Sequence, residues 1–332
     1  MDPAGFTFPM PTDPVPRRQA RVAIISVGQN NPAGVTQTTV ATEAAGAMGW
    51  EMTVFDSAGD AVKAQNFIVQ ATESGFDAII IQSYDVTNFQ GAVEAALDRG
   101  VTIGCISACT ASGVLKDRVI DTGIDFAAQG RLMGANILAS KGEQANVIGV
   151  SDKEFPGVDQ RVAAAKQYLS ENCPGCPWQD ESIVIADILD PGPPFWTAML
   201  SSNPQGSGPN TVLQGMGDAV APAMAQTAVQ AGRTDITIQS FEGYPQGIAL
   251  LRSGGYPYET TTAGSFGFQA WAVVDLIARK LAGQPLWQGA DKLGSPLIKA
   301  ENLDRFPEPS LFVPPAQADF RERFTALWTA AA

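Results

Sequence analysis

Amide, carboxylate and aromatic residues recur in this chain directly after short apolar runs, while positive charge is scarce at the same places. Amides donate to and accept from hydroxyl groups, carboxylates accept from them, and an aromatic ring covers the C–H face of a polyhydroxylated ligand. Such a set is suited to holding a small molecule rich in hydroxyl groups. The candidate binding residues chosen on this basis are Gln29, Asn31, Asp85, Ser107, Phe155, Asp159, Gln160, Trp196, Asp218 and Glu242.

These candidates also have purely structural interpretations. Asn31 precedes Pro32, which fits the start of a helix, and Asp218 stands where it would cap another helix. Phe155 and Trp196 are equally compatible with loop hydrophobes packed on the protein surface. The functional interpretation depends on the whole set, because all of its members fall at one predicted edge of the fold.

The composition argues against catalysis and against nucleic acid. The chain has no histidine, and 21 Lys and Arg against 34 Asp and Glu give a net charge of −13. Without imidazole there is no Ser-His-Asp or Cys-His machinery and no supply of the commonest transition-metal ligand, so we predict no catalytic residue, no metal site and no enzyme activity. Residues 28–32 contain neither GxGxxG nor GxxxxGK[ST], so no nucleotide or other cofactor is predicted. The acidic surface repels phosphate backbones.

The four cysteines fall into two close pairs, Cys105/Cys109 and Cys173/Cys176. The second pair follows an apparent helix and encloses a Pro-Gly turn, whereas a redox CxxC belongs at the start of a helix. We favour two disulfides, with reduced structural thiols and a metal or redox site as the alternatives. Disulfides indicate an oxidising compartment outside the cytoplasm.

Apolar strands alternate with helices along most of the chain, and these elements position the candidate residues. The pattern indicates parallel sheets covered by helices on both faces, an α/β fold. The first array has strands predicted at 21–27, 51–55, 77–81 and 101–106 with helices at 35–49, 60–74 and 88–99, and the second has strands at 145–150, 182–186, 211–214 and 235–239 with helices at 158–169 and 219–231.

The length and the two arrays together predict two lobes of similar size. A chain of 332 residues corresponds to roughly two domains of about 150 residues each. In an open parallel sheet the ligand site lies beyond the carboxyl ends of the strands. We therefore expect the two sheets to face one another, with the candidate residues on the two walls of a cleft.

The first 20 residues are predicted to be a Pro-rich linker, because prolines occupy positions 3, 9, 11, 14 and 16. They lack the basic start and apolar core of a signal peptide, and no apolar run approaches the roughly 20 residues that span a bilayer. This leader suits an exported, tethered protein whose signal or lipid-anchor segment has been removed. A frayed terminus without a purpose is the alternative.

Several short motifs occur in a familiar order: Gln29-Asn30-Asn31-Pro32 after the first strand, Phe55-Asp56 after the second, the third strand Asp77-Ala78-Ile79-Ile80-Ile81, and later Ser240-Phe241-Glu242-Gly243. Together they resemble the type I periplasmic binding proteins. The most similar branch is the ribose-binding-like group, which delivers small carbohydrates to ABC importers. The resemblance extends over residues 21–296.

The resemblance implies an α/β fold of two Rossmann-like lobes with parallel sheets, joined by three hinge crossings near residues 121–123, 262–264 and 283–296. After the linker 1–20, the implied N-terminal lobe comprises residues 21–121 and 264–295. The implied C-terminal lobe comprises residues 122–263 and 296–332, the last part being an extension.

Departures from the family pattern bear on the ligand. Ribose-type proteins carry an Asp-Arg pair where this chain has Ser107-Ala108, and a binding arginine where it has Asp159. This chain also has Gly217 where the family has Asn, Glu242 where it has Asp, and Ala263 where it has the hinge Gln. Asn31 and Asp218 are the same as in the family pattern. Losing both arginines removes the fork-shaped donors that hold ring hydroxyls or carboxylates, so a carboxylate-rich site favours a neutral polyol.

The resemblance therefore implies a monomeric extracytoplasmic protein, in the periplasm or at the cell surface, that captures a neutral sugar alcohol or small monosaccharide by lobe closure. It would then deliver this ligand to an ABC permease in the membrane. Asp159-Gln160 is also similar to the branch that binds rhamnose or a furanone-type signalling sugar. A cationic or aromatic ligand is another alternative, because the candidate carboxylates would neutralise an amine while Trp196 stacks on it. A LacI-type sensor core shares the fold but needs a helix-turn-helix before residue 21, which the prolines oppose.

Overall fold

Strands and helices alternate from residue 21 onward in the structure, a computed structural model that describes residues 2–107, 109, 113–184, 194–206 and 210–329. Residues 185 and 186 of the predicted strand 182–186, and Ala108 of the Ser107-Ala108 pair, lie outside the described residues. The strands are β1 Val15–Pro16, β2 Arg21–Ser26, β3 Glu51–Asp56, β4 Ala78–Gln82, β5 Thr102–Ile106, β6 Ile120–Thr122, β7 Val147–Ser151, β8 Trp178–Ser182, β9 Thr211–Gln214, β10 Thr237–Gln239, β11 Tyr258–Thr262, β12 Leu297–Ile298 and β13 Trp328–Thr329.

Several of the α-helices begin at a residue whose side chain caps their first turn, namely Asn31, Asp60 and Asp125. For example, Asn31 and Pro32 start the first of them, and Gly49 ends it in the left-handed region at φ 89°. The helices are α1 Pro32–Met48, α2 Ala61–Glu73, α3 Gln90–Asp98, α4 Phe126–Lys141, α5 Pro156–Asn172, α6 Pro194–Ser202, α7 Ala221–Gln230, α8 Pro245–Ser253, α9 Phe266–Leu281 and α10 Phe320–Leu327. Short 3-10 helices lie at Pro3–Gly5, Val86–Phe89, Gly113–Leu115, Gly142–Gln144, Gly217–Ala219, Ala300–Arg305 and Pro315–Gln317.

The chain forms two units, each assembled from separate stretches of sequence. The N-terminal unit comprises Ala4–Ile124, Ser265–Gly294 and Leu311–Ala332. The C-terminal unit comprises Met1–Pro3, Asp125–Gly264 and Ser295–Ser310.

The N-terminal unit contains a five-stranded parallel sheet in the order β3-β2-β4-β5-β6. Strands β4 and β5 are buried along their whole length, and β2 is buried after its first residue. Helices α1 and α9 pack together over one part of the sheet, while α2 packs with α3. Burial on both faces explains why these strands are continuous apolar runs rather than alternating ones.

The C-terminal unit contains a six-stranded sheet in the order β12-β11-β10-β9-β7-β8. Its strands are parallel except for the short β12, which runs antiparallel to β11. Helices α4 and α5 pack against one another beside β7. Apolar side chains from these elements form a continuous buried cluster that includes Met133, Ile137, Val147, Leu169, Leu213 and Phe241.

The C-terminal extension differs from the expectation that residues 296–332 belong to the C-terminal lobe, because residues from 311 onward belong to the N-terminal unit. Phe320 and Phe324 pack on Phe268 of α9, with ring centroids 5.6 Å and 5.7 Å away. Trp328 stacks on Trp271 at 5.1 Å. The apolar face of α9 accounts for this difference, since it binds the aromatic residues of the tail.

The Pro-rich start of the chain also differs from the expected linker, because it is packed onto the N-terminal unit. Phe8 is 2% exposed, and its N–H and carbonyl pair with the side-chain amide of Gln317 at 2.7 Å and 2.8 Å. Strand β1 pairs in parallel with β13. Prolines prevent regular helix here, but extended backbone with buried aromatic residues still docks on a surface.

Both cysteine pairs are disulfide-bonded, Cys105 to Cys109 and Cys173 to Cys176, which confirms the favoured alternative. The first closes the loop that follows β5, and the second closes the turn between α5 and β8. Within the described ranges, every helix is too short or too polar to span a lipid bilayer.

Candidate functional site

The loops after β4 and β5 form the centre of the candidate residues in the N-terminal unit. Ser83 and Ser107, each the first residue after its strand, have left-handed backbones at φ 60° and 66°. The N–H of Ser83 donates to the carbonyl of Ile106 at 2.9 Å, and that of Ser107 donates to the carbonyl of Thr122 at 2.9 Å. A left-handed backbone is energetically unfavourable for a residue with a side chain. Its occurrence directly after two neighbouring strands indicates that the surrounding structure enforces this conformation at the edge of the sheet.

Ser107 is 8% exposed and is held by a side chain that the sequence did not suggest. Its N–H and its Oγ both donate to Oε1 of Gln269 in α9, at 3.1 Å and 3.3 Å. Gln269 is itself fully buried. No sequence signal identified Gln269, because it lies 162 positions away from Ser107 inside an apolar helix.

Asn31 acts as the N-cap of α1. Its Oδ1 accepts from the N–H of Gly34 at 2.9 Å, and its Nδ2 donates to the carbonyl of Gly28 at 3.1 Å. A Cβ at Gly34 would lie 1.7 Å from that carbonyl oxygen, so the glycine is required for this close turn. Both ends of the Asn31 amide therefore have a local structural role, as the capping interpretation predicted.

Gln29 and Asp85 are also tied to local structure. Gln29 donates from Nε2 to the hydroxyls of Ser26 at 2.6 Å and Thr38 at 3.0 Å. Asp85 caps the 3-10 helix Val86–Phe89 and accepts from the N–H and hydroxyl of Thr87 at 2.8 Å and 2.6 Å. These contacts fix both side chains beside the loops that follow β2 and β4.

In the C-terminal unit, three candidates lie at the start of α5. Phe155 occupies the N-cap position and is 6% exposed, so its ring is largely covered. Asp159 is exposed and accepts from the hydroxyl of Ser151 at 3.1 Å. Gln160 is exposed on the next position of the helix. Asp159 and Gln160 are thus the accessible polar residues at this helix start.

The structure places Trp196, a candidate stacking residue, in the interior of the C-terminal unit. It belongs to helix α6, where it is 2% exposed and packs edge-on against Phe195 with ring centroids 4.8 Å apart. The structural alternative placed Trp196 in a loop, whereas the segment forms a helix whose apolar side turns inward. Trp196 is therefore a core residue of the C-terminal unit.

Glu242 carries a buried partner that the sequence interpretation missed. Its Oε1 accepts from Nη2 of Arg161 at 2.7 Å, and Nη1 of the same arginine donates to the carbonyl of Gly215 at 3.1 Å. The guanidinium carbon lies 4.9 Å from the ring centres of both Phe126 and Phe241. Burial raises the pKa of Glu242, while Arg161 opposes this increase.

The immediate surroundings of Glu242 are shaped by a neighbouring glycine. Glu242 has a left-handed backbone at φ 89°, and Gly217 has φ 80°. A Cβ at Gly217 would lie 2.7 Å from Oε2 of Glu242, so the carboxylate occupies the space that a side chain there would need. The two departures from the family pattern at these positions are therefore coupled in space.

Asp218, a candidate ligand contact, is fully buried, and its carboxylate accepts hydrogen bonds from protein groups. The hydroxyl of Tyr258 donates to it, and the hydroxyl of Thr261 lies 3.0 Å and 2.9 Å from its two carboxylate oxygens. Burial raises the pKa of Asp218 to about 7, although the hydrogen bonds of Tyr258 and Thr261 oppose the increase. Its N–H donates to the carbonyl of Phe241 at 2.9 Å, which links it to Glu242.

The structure brings candidate residues together within each unit. In the N-terminal unit the group surrounds the ends of β2, β4 and β5, and in the C-terminal unit Glu242 and Asp218 adjoin one another through Gly217. Nowhere in the described part of the chain do three or more His, Cys, Asp or Glu residues come together as a metal site. The accessible groups are hydroxyls, amides and carboxylates, and the chemistry that they support is hydrogen bonding.

A chain with two such units, in each of which polar groups follow the strands of a largely parallel sheet, has the architecture of a small-molecule binding protein. The family model described as periplasmic binding protein domain matches residues 22–285, and the chain belongs to this family. This confirms the resemblance to type I periplasmic binding proteins and the predicted α/β fold. It is a transport-type binding protein and not an enzyme, and its family implies a location outside the cytoplasm.

Solved structures share the fold at low sequence identity. The myo-inositol binding protein of Caulobacter, bound to myo-inositol, has a TM-score of 0.74 and 19% identity over 87% of this chain and 97% of its own. An ABC transporter solute binding protein from Agrobacterium vitis with bound allitol has a TM-score of 0.74 and 17% identity over 87% and 98%. The 5-methylthioribose transporter solute binding protein from Thermotoga lettingae has a TM-score of 0.77 and 19% identity over 95% and 99%. A comparison with curated proteins gave no match.

Proposed function

We propose that this protein is the solute-binding component of an ABC importer and that its ligand is a small neutral polyhydroxy compound, a sugar alcohol or small monosaccharide. The ion pair between Arg161 and Glu242 carries this proposal. Both Nη atoms of Arg161 donate to groups inside the protein, one to the carboxylate of Glu242 and the other to the carbonyl of Gly215. They are therefore not a free pair of donors for an acidic ligand. A ligand that donates hydroxyl groups fits the remaining acceptors.

The composition of the accessible groups supports the same ligand class. The exposed Asp159 and Gln160 at the start of α5 supply acceptors and an amide, while the buried Ser107 and the half-buried Gln29 place a hydroxyl and an amide after strands of the other unit. A carboxylate at Asp159 and a net charge of −13 both disfavour anions. Neutral hydroxyl groups pair with such acceptors without the desolvation cost of a buried charge.

The solved relatives named above carry allitol, myo-inositol and 5-methylthioribose, which are small hydroxyl-rich molecules. Their ligands support the choice of class for this chain and leave the individual compound open to experiment. Because residues of both units are candidates, we propose that ligand uptake closes the two lobes about their chain crossings. The closed, monomeric protein would then engage a membrane permease, and a lipid anchor on a longer form would keep it at the cell surface.

A thermal-shift screen tests this proposal. Sugar alcohols, pentoses, hexoses, a furanone-type sugar and small aromatic amines would each be added to the purified protein, and the melting temperature recorded. A ligand present at about 100 times its Kd stabilises the native state by roughly 2.7 kcal/mol, which gives a shift of several degrees. A shift with a sugar alcohol or monosaccharide supports the proposal, whereas shifts restricted to amines would assign the cationic alternative.

A further inference from the structure

Gln269 has a fixed orientation that leaves half of its amide without a partner. The N–H of Ser107 donates to one end of the amide at 3.1 Å, and an N–H requires an oxygen there, so this end is Oε1. Nε2 must then face away from Ser107. It is buried and has no hydrogen-bond partner among the described residues.

A second glutamine of the same unit repeats this arrangement. Gln37 of α1 is 2% exposed, and one end of its amide lies 3.5 Å from the hydroxyl of Ser83. Its other end is buried and has no partner within the described ranges. Ser83 and Ser107, the two serines with a left-handed backbone after β4 and β5, therefore each contact a buried glutamine. In each glutamine one end of the side-chain amide has a hydrogen-bond partner and the other end has none among the described residues.

The two serine–glutamine pairs are close neighbours. The N–H of Ser83 donates to the carbonyl of Ile106, the residue directly before Ser107. Helices α1 and α9, which carry Gln37 and Gln269, pack against one another. We call Gln37, Ser83, Ser107 and Gln269 the serine–glutamine cluster.

A buried amide hydrogen or oxygen without a partner costs about 1–3 kcal/mol, so two of them in one cluster call for a compensating group. A hydroxyl group both donates and accepts, so it is able to accept from the open donor of Gln269 or to donate to the open acceptor of Gln37. A carboxylate has no hydrogen to donate, and an ammonium group has no lone pair to accept with.

We propose that the serine–glutamine cluster is the specificity element of the N-terminal unit and that it binds a hydroxyl group of the ligand, with Gln269 as the principal donor. This rests on the function proposed above and deepens it, since it assigns the recognition of one ligand hydroxyl group to Gln269, a residue outside the candidate set. The cluster favours ligands whose hydroxyl group reaches the end of β5.

Gln269→Glu is the sharpest test, because it retains an oxygen for the N–H of Ser107 and replaces the free donor with a second carboxylate oxygen. We expect the affinity for the best polyol of the screen, measured by calorimetric titration, to fall about 10-fold or more. Gln37→Met tests the other half of the cluster and is expected to weaken binding as well. Gln317→Glu is the matched control, because Gln317 is a buried side-chain amide of the same unit that pairs with the backbone of Phe8.

The control variant is expected to lose stability and keep its affinity. If Gln269→Glu and Gln37→Met both bind the polyol within twofold of the wild type, the cluster holds only an internal water and the inference is overturned while the proposed function stands. If the wild-type protein binds no polyhydroxy compound at all, the proposed function fails and the role of the cluster fails with it.

Discussion

The guanidinium of Arg161 and the carboxylate of Glu242 form an ion pair at 2.7 Å inside the C-terminal unit, with side-chain exposures of 2% and 12%. The rings of Phe126 and Phe241 both contact the guanidinium, and the carbonyl of Gly215 accepts from its other Nη. The pair fixes a carboxylate beside Gly217 and removes an arginine from the groups available to a ligand. Both consequences bear on which molecules the protein selects.

The first prediction concerns the strength of this pair. Arg161→Met removes the positive charge and leaves Glu242 buried without compensation, so we expect a loss of about 3–5 kcal/mol in the free energy of unfolding. Denaturant unfolding followed by circular dichroism measures this loss. Arg118→Met is the matched control, because the Arg118–Asp98 pair is exposed and is expected to contribute less than about 1 kcal/mol.

A second variant separates charge from packing. Adding Glu242→Gln to Arg161→Met removes the buried charge, and we expect it to recover part of the lost stability. Equal losses for Arg161→Met and Arg118→Met would contradict the view that burial makes the Arg161–Glu242 pair important.

The second prediction concerns pH and Asp218. Burial raises the pKa of this carboxyl from 3.8 to about 7, so the folded state binds its proton more tightly than the unfolded state. The bound proton therefore stabilises the folded state. This stabilisation is complete below about pH 4 and is lost as the pH rises through 7. The free energy of unfolding decreases by at most about 1.4 kcal/mol per pH unit over this range. We expect Asp218→Asn to flatten the decrease in stability between pH 6 and 7.

Asp121 provides a control in the same chain. It is half-buried and accepts a hydrogen bond from the N–H of Cys109, and burial raises its pKa to about 6. Asp121→Asn should therefore reduce the pH dependence of the unfolding free energy between pH 4 and 6. Between pH 6 and 7 the unfolding free energy of this variant should still decrease with rising pH. Unfolding free energies measured at half-unit pH steps give both profiles, and an Asp218→Asn profile parallel to that of the wild type would refute the assignment.

The third prediction concerns the two disulfides. The Cys105–Cys109 bond closes the loop that contains Ser107, and the N–H of Cys109 donates to Asp121 at 3.0 Å. Replacing both cysteines by serine should release the left-handed turn at Ser107 and weaken polyol binding several-fold, as measured by calorimetry. Replacing Cys173 and Cys176 by serine is the control, and this double variant should keep the affinity of the wild type. Equal affinities of the two double variants would contradict a role of the Cys105–Cys109 bond in binding.

The fourth prediction concerns the packed termini. Trp328 is 3% exposed, stacks on Trp271 and donates from Nε1 to Asp275 at 2.9 Å. Trp328→Ala should therefore destabilise the protein by about 3–5 kcal/mol. Val62→Ala, at a residue that is 70% exposed, should change stability by less than about 0.5 kcal/mol. A Trp328 variant as stable as the Val62 variant would mean that the tail is not part of the folded unit.

The alternation of strands and helices was predictable because each element is encoded locally. The run from Ala78 to Ile81 is apolar since both faces of its sheet are covered, and Asn31-Pro32 marks a helix start by its own chemistry. Such signals require only neighbouring residues.

The site details depended on contacts that are distant in sequence. Arg161 lies 81 positions from Glu242, and Gln269 lies 162 positions from Ser107. Nothing near either residue indicates its partner, so the arginine was overlooked and the carboxylate was taken as free. The buried position of Trp196 was unpredictable for a related reason, because an aromatic residue after a strand has the same sequence signature in a loop and at the start of a helix.

The choice of a neutral polyhydroxy ligand is tested most directly by calorimetric titration with three compounds that share one carbon skeleton. These are the best sugar alcohol or sugar from the thermal-shift screen, the sugar acid with a terminal carboxylate, and the amino derivative with a terminal ammonium group. We predict that the neutral compound binds at least about tenfold more tightly than either charged analogue. Tighter binding of the acid or of the amine would contradict the account.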